Sequence, residues 1–251
     1  MEPMLSDLTT GFIARLRGRD PAAWFELWET FGPILRNQLA KWGGGRIGPE
    51  TVQDVSQETL AALADAIDRH DPSKGARFST WLLAIAKHTL GGEMDRRMAQ
   101  KRGGGVKPGE LVDDLSGDRG AGRPDSRYET AIFHAKVEAA LRLVERESDF
   151  LDFEVYRMRV LEGQSGRQVA DALGTSEPTV SRRLARVRTR LRDRLTEVIA
   201  RFSFTEEEAR EAARNGLETN PKKADDVLFD DAVAEIYHRQ QELRAEDARS
   251  A

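Results

Sequence analysis

The 251-residue sequence contains no cysteine. Disulfides and thiolate metal sites are therefore excluded, and a reducing cytoplasm is the compartment that this composition favours. Long hydrophobic runs are also lacking: no window approaches 18 apolar residues, so no membrane-spanning segment is predicted. The N-terminus has no basic start followed by an apolar run, and no signal peptide is predicted.

Histidine is scarce, and nothing in the sequence indicates enzyme chemistry. The four histidines are dispersed and fit no metal-ligand or catalytic-triad spacing: His70, His88, His134 and His238. Neither Gly-Gly-Gly run is followed by the Gly-Lys-Ser/Thr of a phosphate-binding loop. The sequence therefore predicts no enzyme, no cofactor and no metal.

Charge is abundant but unevenly placed. Charged residues make up 33% of the chain, above the usual quarter, which favours two small domains over one large core. The formal net charge is -4, yet residues 205–251 alone carry 13 acids and 7 bases, a net charge of -6. The rest of the chain is at +2, so the acidity belongs to the C-terminal tail.

Apolar residues recur at helical spacing along most of the chain, and no alternating strand pattern is convincing. Residues 103–127 are instead rich in Gly, Pro, Asp and Ser, as is typical of a flexible linker. We therefore predict an all-α fold with two small helical domains, residues 1–102 and 128–201. An acidic C-terminal extension, 202–251, follows them.

Local signals refine the helices of the first domain. Asp20 is predicted to cap a helix that has Pro21 in its first turn, and Pro33 to kink or split that helix. Gly91 and Gly92 are predicted to interrupt a later helix, because each glycine costs roughly 1 kcal/mol relative to alanine.

A helix-turn-helix is predicted near the end of the second domain. Small Ala170 lies on a short helix, and Gly174 supplies the positive φ that a tight turn needs. Ser176 is placed to cap a second helix, with Pro178 in its first turn. In DNA-binding proteins of this pattern the second helix enters the major groove.

The second helix has an apolar stripe and a basic outer face. The stripe comprises Val180, Leu184, Val187, Leu191 and Leu195. At about 100° per residue, Arg182 and Arg186 point away from it, where their planar forks suit guanine edges. Later arginines are suited to phosphates. The predicted DNA contacts are Ser176, Thr179, Ser181, Arg182, Arg183, Arg186 and Arg190.

Two segments resemble regions of bacterial sigma factors. DFEVYRMRVLEGQSGRQVADALGTSEPTVSRRLARVRTRL, residues 152–191, resembles region four, the domain that binds the minus-thirty-five element. DVSQETLAALADAIDRHDPSKGARFSTWLLAIAKHTL, residues 54–90, resembles region two through D-x-x-Q-E and W-L-x-x-I-A. The spare architecture, without region three or a long N-terminal domain, resembles the extracytoplasmic-function group.

The resemblance implies functional residues in region two. Core RNA polymerase would be bound by Asp54, Gln57 and Glu58. The minus-ten element would be bound and melted by Lys74, Arg77, Phe78, Trp81, Lys87, His88, Arg96 and Arg97. His88 replaces the asparagine usual in the family, so the preferred base is not predicted. The implied partners are core RNA polymerase and promoter DNA, with an anti-sigma factor or another regulator as a further one.

Other interpretations stay open at this point. A helix-turn-helix regulator would bind DNA without polymerase, and an adaptor would bind polymerase without melting DNA. The tail presents a predicted amphipathic helix over 225–240, with Val227, Val233, Ile236, Tyr237 and Gln240 on its stripe, and with Leu228 and Phe229 adding apolar area. We hypothesise that this helix docks on region four and competes with DNA. A disordered, solubilising tail is the alternative, and docking onto polymerase or a regulator is a further one.

Overall fold

A computed structural model describes residues 7–69, 77–101, 126–215, 217 and 223–250 of the chain. Every regular element within these ranges is a helix, which confirms the all-α fold class. The chain divides into two compact units, one built mainly from Thr10–Ile132 and the other mainly from Phe133–Arg249. Lys74 and all but the last two residues of the predicted linker lie outside the described residues.

The helices of the described ranges are labelled α1 to α11 in chain order. They span Asp7–Arg17, Pro21–Gly43, Pro49–Ala66, Phe78–Lys101, Ser126–Glu147, Phe150–Tyr156, Gly166–Ala172, Glu177–Arg201, Glu206–Ala209, Glu211–Arg214 and Lys223–Ser250. A π-helical turn, Arg157–Leu161, follows α6 and was not predicted. In the first unit α2, α3 and α4 pack against one another; in the second, α6 and α7 pack against α8.

Helix α2 begins where the sequence predicts. Asp20 is extended, and its Oδ1 accepts a hydrogen bond from the backbone N–H of Ala22 at 2.9 Å. Pro21 occupies the first turn, where a missing N–H leaves no helical hydrogen bond unmade. Pro33 lies inside the helix, which continues to Gly43 as one element.

Helix α4 runs through Gly91 and Gly92 without a break, so the predicted interruption is wrong. Packing on both sides of the pair offsets the low helix propensity of glycine. Leu90 is buried in the core of the unit immediately before the pair. After the pair, Arg97 donates a hydrogen bond to the side chain of Thr51 on α3, which ties the second half of α4 to its neighbour.

The acidic extension packs as part of the second unit. Its main helix, α11, is longer than the predicted amphipathic segment 225–240. Val227 is 59% exposed, so its predicted place on the apolar stripe is wrong. Val233 is six positions after Val227, which sets their side chains about 120° apart around the helix axis. The buried stripe instead has spacings of four, three and four: Phe229, Val233, Ile236 and Gln240.

Candidate nucleic-acid interface

Helices α7 and α8 meet at a tight turn with the predicted chemistry. Gly174 has a φ of 59°, in the left-handed region that glycine adopts without steric cost. The N–H of Thr175 donates to the carbonyl of Ala170 at 2.9 Å, which closes the end of α7. Ser176 occupies the N-cap position of α8, but its hydroxyl makes no capping hydrogen bond to the backbone; Pro178 lies in the first turn. The predicted helix-turn-helix is therefore present.

A capping box fixes the start of α7. The Ser165 hydroxyl accepts a hydrogen bond from the backbone N–H of Gln168 at 3.2 Å. The Gln168 side chain accepts one from the backbone N–H of Ser165 at 2.8 Å. The Ser-x-x-Gln signal was visible in the sequence but was not identified there.

The first turns of α8 present a polar surface opposite the buried stripe. The stripe residues predicted from the spacing are all buried: Val180, Leu184, Val187, Leu191 and Leu195. On the outside, Arg182 donates to Thr179 Oγ1 at 3.3 Å and to the Pro178 carbonyl at 3.3 Å. Thr179 Oγ1 lies 3.0 Å from Ser176 Oγ. Three predicted contacts thus form one hydrogen-bonded cluster, and Ser181 is exposed as well.

The next arginines of α8 are ion-paired with one carboxylate. Arg186 donates from Nε to Asp152 Oδ2 at 2.9 Å and from Nη2 to Oδ1 at 2.8 Å. Arg183 donates to the same Oδ1. The hydrogen bond from Arg186 lowers the pKa of Asp152, and that bond raises the pKa of Arg186. Asp152 was not predicted from the sequence, because it lies 34 positions before Arg186 and helical periodicity carries no signal across that distance.

Further along α8, two arginines contact the end of α5. Arg190 donates to the carbonyl of Glu147 at 3.2 Å and to Ser148 Oγ at 2.9 Å. Arg194 pairs with the Glu147 carboxylate at 2.7 Å. Cations at the C-terminal end of a helix are favoured by its dipole, so these contacts brace α8 against α5.

Two other arginines of α8 contact α11, as the docking hypothesis expects. Arg188 Nε lies 3.0 Å from an oxygen of Asp230, and Arg192 donates to Asp226 at 2.6 Å. The Arg192 guanidinium also lies 4.4 Å from the centre of the Phe229 ring. Arg188 follows Arg186 by two residues, which puts it on the opposite side of α8. The docked tail thus covers the flank away from Arg186, and competition with DNA stays a prediction.

In the first unit, the predicted polymerase-binding residues lie on α3. Asp54 and Gln57 are exposed, while Val55 between them is buried. Glu58 is half-buried and accepts two hydrogen bonds from Arg96 of α4, at 3.2 and 2.7 Å. The exposed carboxylate of Asp54 is therefore the more accessible of the two acids.

The predicted minus-ten residues on α4 divide by burial. Phe78 is in the core, its ring 4.8 Å from that of Phe31, so this ring is not accessible for the minus-ten contact that the resemblance implies. Trp81 is half-buried, with its ring 6.1 Å from that of Phe78. Lys87 and His88 are exposed. Since Trp81 and His88 are seven residues apart, they share a face of the helix.

Arg77, at the start of α4, is also held by a partner that the sequence did not reveal. Its Nη1 donates to Glu129 Oε2 at 2.9 Å, and Ser79 Oγ donates to Glu129 Oε1 at 2.6 Å. Glu129 belongs to the first turn of α5. This pairing fixes the beginning of α4 within the first unit.

No helix within the described ranges has the length and apolar character needed to cross a bilayer. No group of three or more histidine, aspartate or glutamate side chains in those ranges is arranged to hold a metal ion.

Comparison with protein families assigns both units. The family model described as Sigma-70 region 2 matches residues 27–97, from within α2 to within α4. The model described as Sigma-70, region 4, of the extracytoplasmic-function type, matches residues 151–191, which contain the helix-turn-helix. No curated protein sequence matches the chain. Both regions, in this order, indicate a role in promoter recognition with RNA polymerase. The chain belongs to the sigma-70 family of RNA polymerase sigma factors and is of the extracytoplasmic-function type.

Proposed function

We propose that this protein binds core RNA polymerase and directs it to start transcription at specific promoters. The observation that carries the proposal is the presence, on one chain, of an exposed acidic face in region two and a polar helix-turn-helix in region four. The protein makes no covalent change. Its effect is differential binding, in which region two stabilises the strand-separated promoter while region four anchors upstream DNA.

The proposed polymerase contact is the surface of α3 around Asp54 and Gln57. Both side chains are exposed and lie three residues apart, so they are neighbours on one face of the helix. Glu58 extends this surface but shares its carboxylate with Arg96. A basic partner surface would meet two carboxylates here, and within the described part of the chain only that of Glu58 is ion-paired.

The proposed minus-ten contact is the face of α4 that carries Trp81 and His88, with Lys87 beside it. Melted bases need a π-surface on which to stack and a cation near the backbone. The half-buried ring of Trp81 offers such a surface, and the exposed Lys87 offers the cation. Phe78 supports this face from beneath, since its ring packs between Phe31 and Trp81.

The proposed upstream contact is the N-terminal half of α8. Arg182 and Arg186 are exposed opposite the buried stripe and are suited to guanine edges in the major groove. Arg190 is braced at the end of α5 and is suited to a phosphate, so it contributes affinity without base preference. Ser176 and Thr179 add hydroxyls at the start of the helix.

Transcription from a pool of randomised promoters tests the proposal. Core RNA polymerase with this protein should yield transcripts with defined starts that core polymerase alone does not. Asp54→Lys should abolish both these transcripts and co-purification with core polymerase, because it reverses charge at an exposed position whose side chain makes no hydrogen bond or ion pair within the described ranges. Asp65→Lys, the same charge change about 16 Å further along α3, is the matched control and should retain both.

Two other outcomes would overturn the proposal. Sequence-specific duplex binding without co-purification would identify a helix-turn-helix regulator. Co-purification without transcripts at any promoter would identify an adaptor that binds polymerase without opening DNA. Circular dichroism of each variant establishes that helicity is unchanged.

A further inference from the structure

The guanidinium of Arg186 is held along one edge and open along the other. Its Nε and Nη2 donate to the two oxygens of Asp152 at 2.9 and 2.8 Å. Within the described part of the chain, Nη1 and the second N–H of Nη2 donate to no other group, and the side chain is 60% exposed. A planar guanidinium paired side-on in this way keeps a fork of two outward N–H groups, one on Nη1 and one on Nη2, for a second acceptor.

The carboxylate of Asp152 is itself immobilised. Its side chain is only 11% exposed, and Oδ1 is shared with Arg183. The backbone N–H of Asp152 donates to the carbonyl of Asp149, the N-cap residue of α6, at 3.0 Å. Arg183 and the first turn of α6 thus fix the carboxylate to which Arg186 is bound.

We propose that Asp152 is a positioning residue for base recognition: it holds Arg186 so that the free fork meets one base pair of the upstream element. The proposal deepens the proposed function and rests on it. The chemical partner is a base edge with two adjacent acceptors, as guanine presents through O6 and N7. A long arginine side chain otherwise loses rotamer freedom on binding, and the ion pair imposes that order before DNA arrives.

The same contact could in principle act as a latch that withholds Arg186 from DNA. A latch would have to occupy the fork that bases require. Asp152 instead occupies the Nε edge and leaves the outer fork exposed. The ion pair and the base contact are therefore compatible in one geometry, which favours positioning over inhibition.

Base preference, rather than affinity, is the property to measure, because loss of any carboxylate raises attraction for every duplex. Holoenzyme reconstituted from the full-length protein and core polymerase is bound to duplexes randomised over the upstream element, and the bound fraction is sequenced. The variants are Arg186→Ala, Asp152→Asn and the double variant. Asp193→Asn is the matched control: it removes the same charge from an exposed position on α8, about 10 Å along the helix from Arg186.

Arg186→Ala should reduce discrimination at one base pair by about 5- to 150-fold. Asp152→Asn should reduce it at that same base pair by about two- to tenfold and leave other positions unchanged. In the Arg186→Ala background Asp152→Asn should change nothing further, and Asp193→Asn should leave preference intact. Asp152→Glu keeps the charge and should restore part of the discrimination, which separates positioning from a loss of folding.

The outcomes distinguish the two levels of the argument. No preferred upstream sequence for the wild type, or no effect of Arg186→Ala, overturns the proposed base recognition itself. A normal effect of Arg186→Ala with unchanged or improved discrimination in Asp152→Asn overturns only the positioning role. The positioning role is also overturned if Asp152→Asn loses discrimination in the Arg186→Ala background, or if the loss spreads over several base pairs.

Discussion

Helix α11 is expected to stabilise the second unit, and Phe229 is the residue that tests this. The Phe229 ring is fully buried and lies beneath the guanidinium of Arg192, 4.4 Å from ring centre to Cζ. Replacing a buried phenylalanine by alanine costs about 3–5 kcal/mol, and the cation–π contact is part of that loss. Since small domains are stable by only about 5–15 kcal/mol, Phe229→Ala should remove a large share of the free energy of unfolding.

The distribution of tryptophan makes the two units separately observable. All four tryptophans belong to the first unit: Trp24, Trp28, Trp42 and Trp81. Tryptophan fluorescence during urea unfolding therefore follows the first unit, while far-ultraviolet circular dichroism follows the helices of both. Phe229→Ala should lower the midpoint of the second unit's transition by about 1–3 M urea and leave the fluorescence transition in place.

Leu228→Ala is the matched control for this experiment. Leu228 precedes Phe229 on the same helix but is 62% exposed, so its truncation should change stability by less than about 0.5 kcal/mol. Equal destabilisation by the two substitutions would refute the docking of α11 through its buried stripe. A shift of the fluorescence transition by Phe229→Ala would refute the assignment of α11 to the second unit.

Two further predictions concern stability. Gly91→Ala or Gly92→Ala should each stabilise the first unit by about 0.5–1 kcal/mol in fluorescence-monitored urea unfolding, since within the described ranges an added methyl group meets no packed neighbour within 4 Å. Gly43→Ala should destabilise the same unit, because its methyl group would clash with the side chain of Ile47. Hydrogen bonds from Arg186 and Arg183 lower the pKa of Asp152, so the stability that this carboxylate contributes is present above its pKa in the unfolded chain and is lost as pH falls. Asp152→Asn should therefore flatten the acid limb of the second unit, meaning the fall of its free energy of unfolding with decreasing pH. Burial raises the pKa of Asp230, so protonation on acidification favours the folded state, and Asp230→Asn should steepen that limb. Identical acid limbs for both variants in circular dichroism would contradict these signs.

Turns and helix caps were predictable from the sequence, whereas contacts between residues far apart in the sequence were not. The turn at Gly174 and the cap at Asp20 depend on residues within one turn of each other, and both are present as predicted. Helix propensity alone was misleading at Gly91, where packing holds the helix together. Periodicity located an amphipathic helix in the tail but placed Val227 on the wrong face, because the buried face is decided by what packs against it.

The arginines of α8 show how ion pairs within the chain decide which side chains stay accessible to DNA. Eight arginines between 176 and 201 suggest a broad basic surface, yet Arg188 and Arg192 are mostly buried against α11. The guanidinium groups left accessible near the turn are Arg182 and the outer fork of Arg186, which concentrates attraction for DNA where a recognition helix enters the groove. Asp226 and Asp230 of α11 neutralise arginines on the other flank, and salt screens their field at the surface around Arg182 beyond about 10 Å. Deleting residues 205–251 would also remove the buried stripe of α11, so competition with DNA has to be tested with substitutions of exposed tail acids that leave the packing of Phe229 intact.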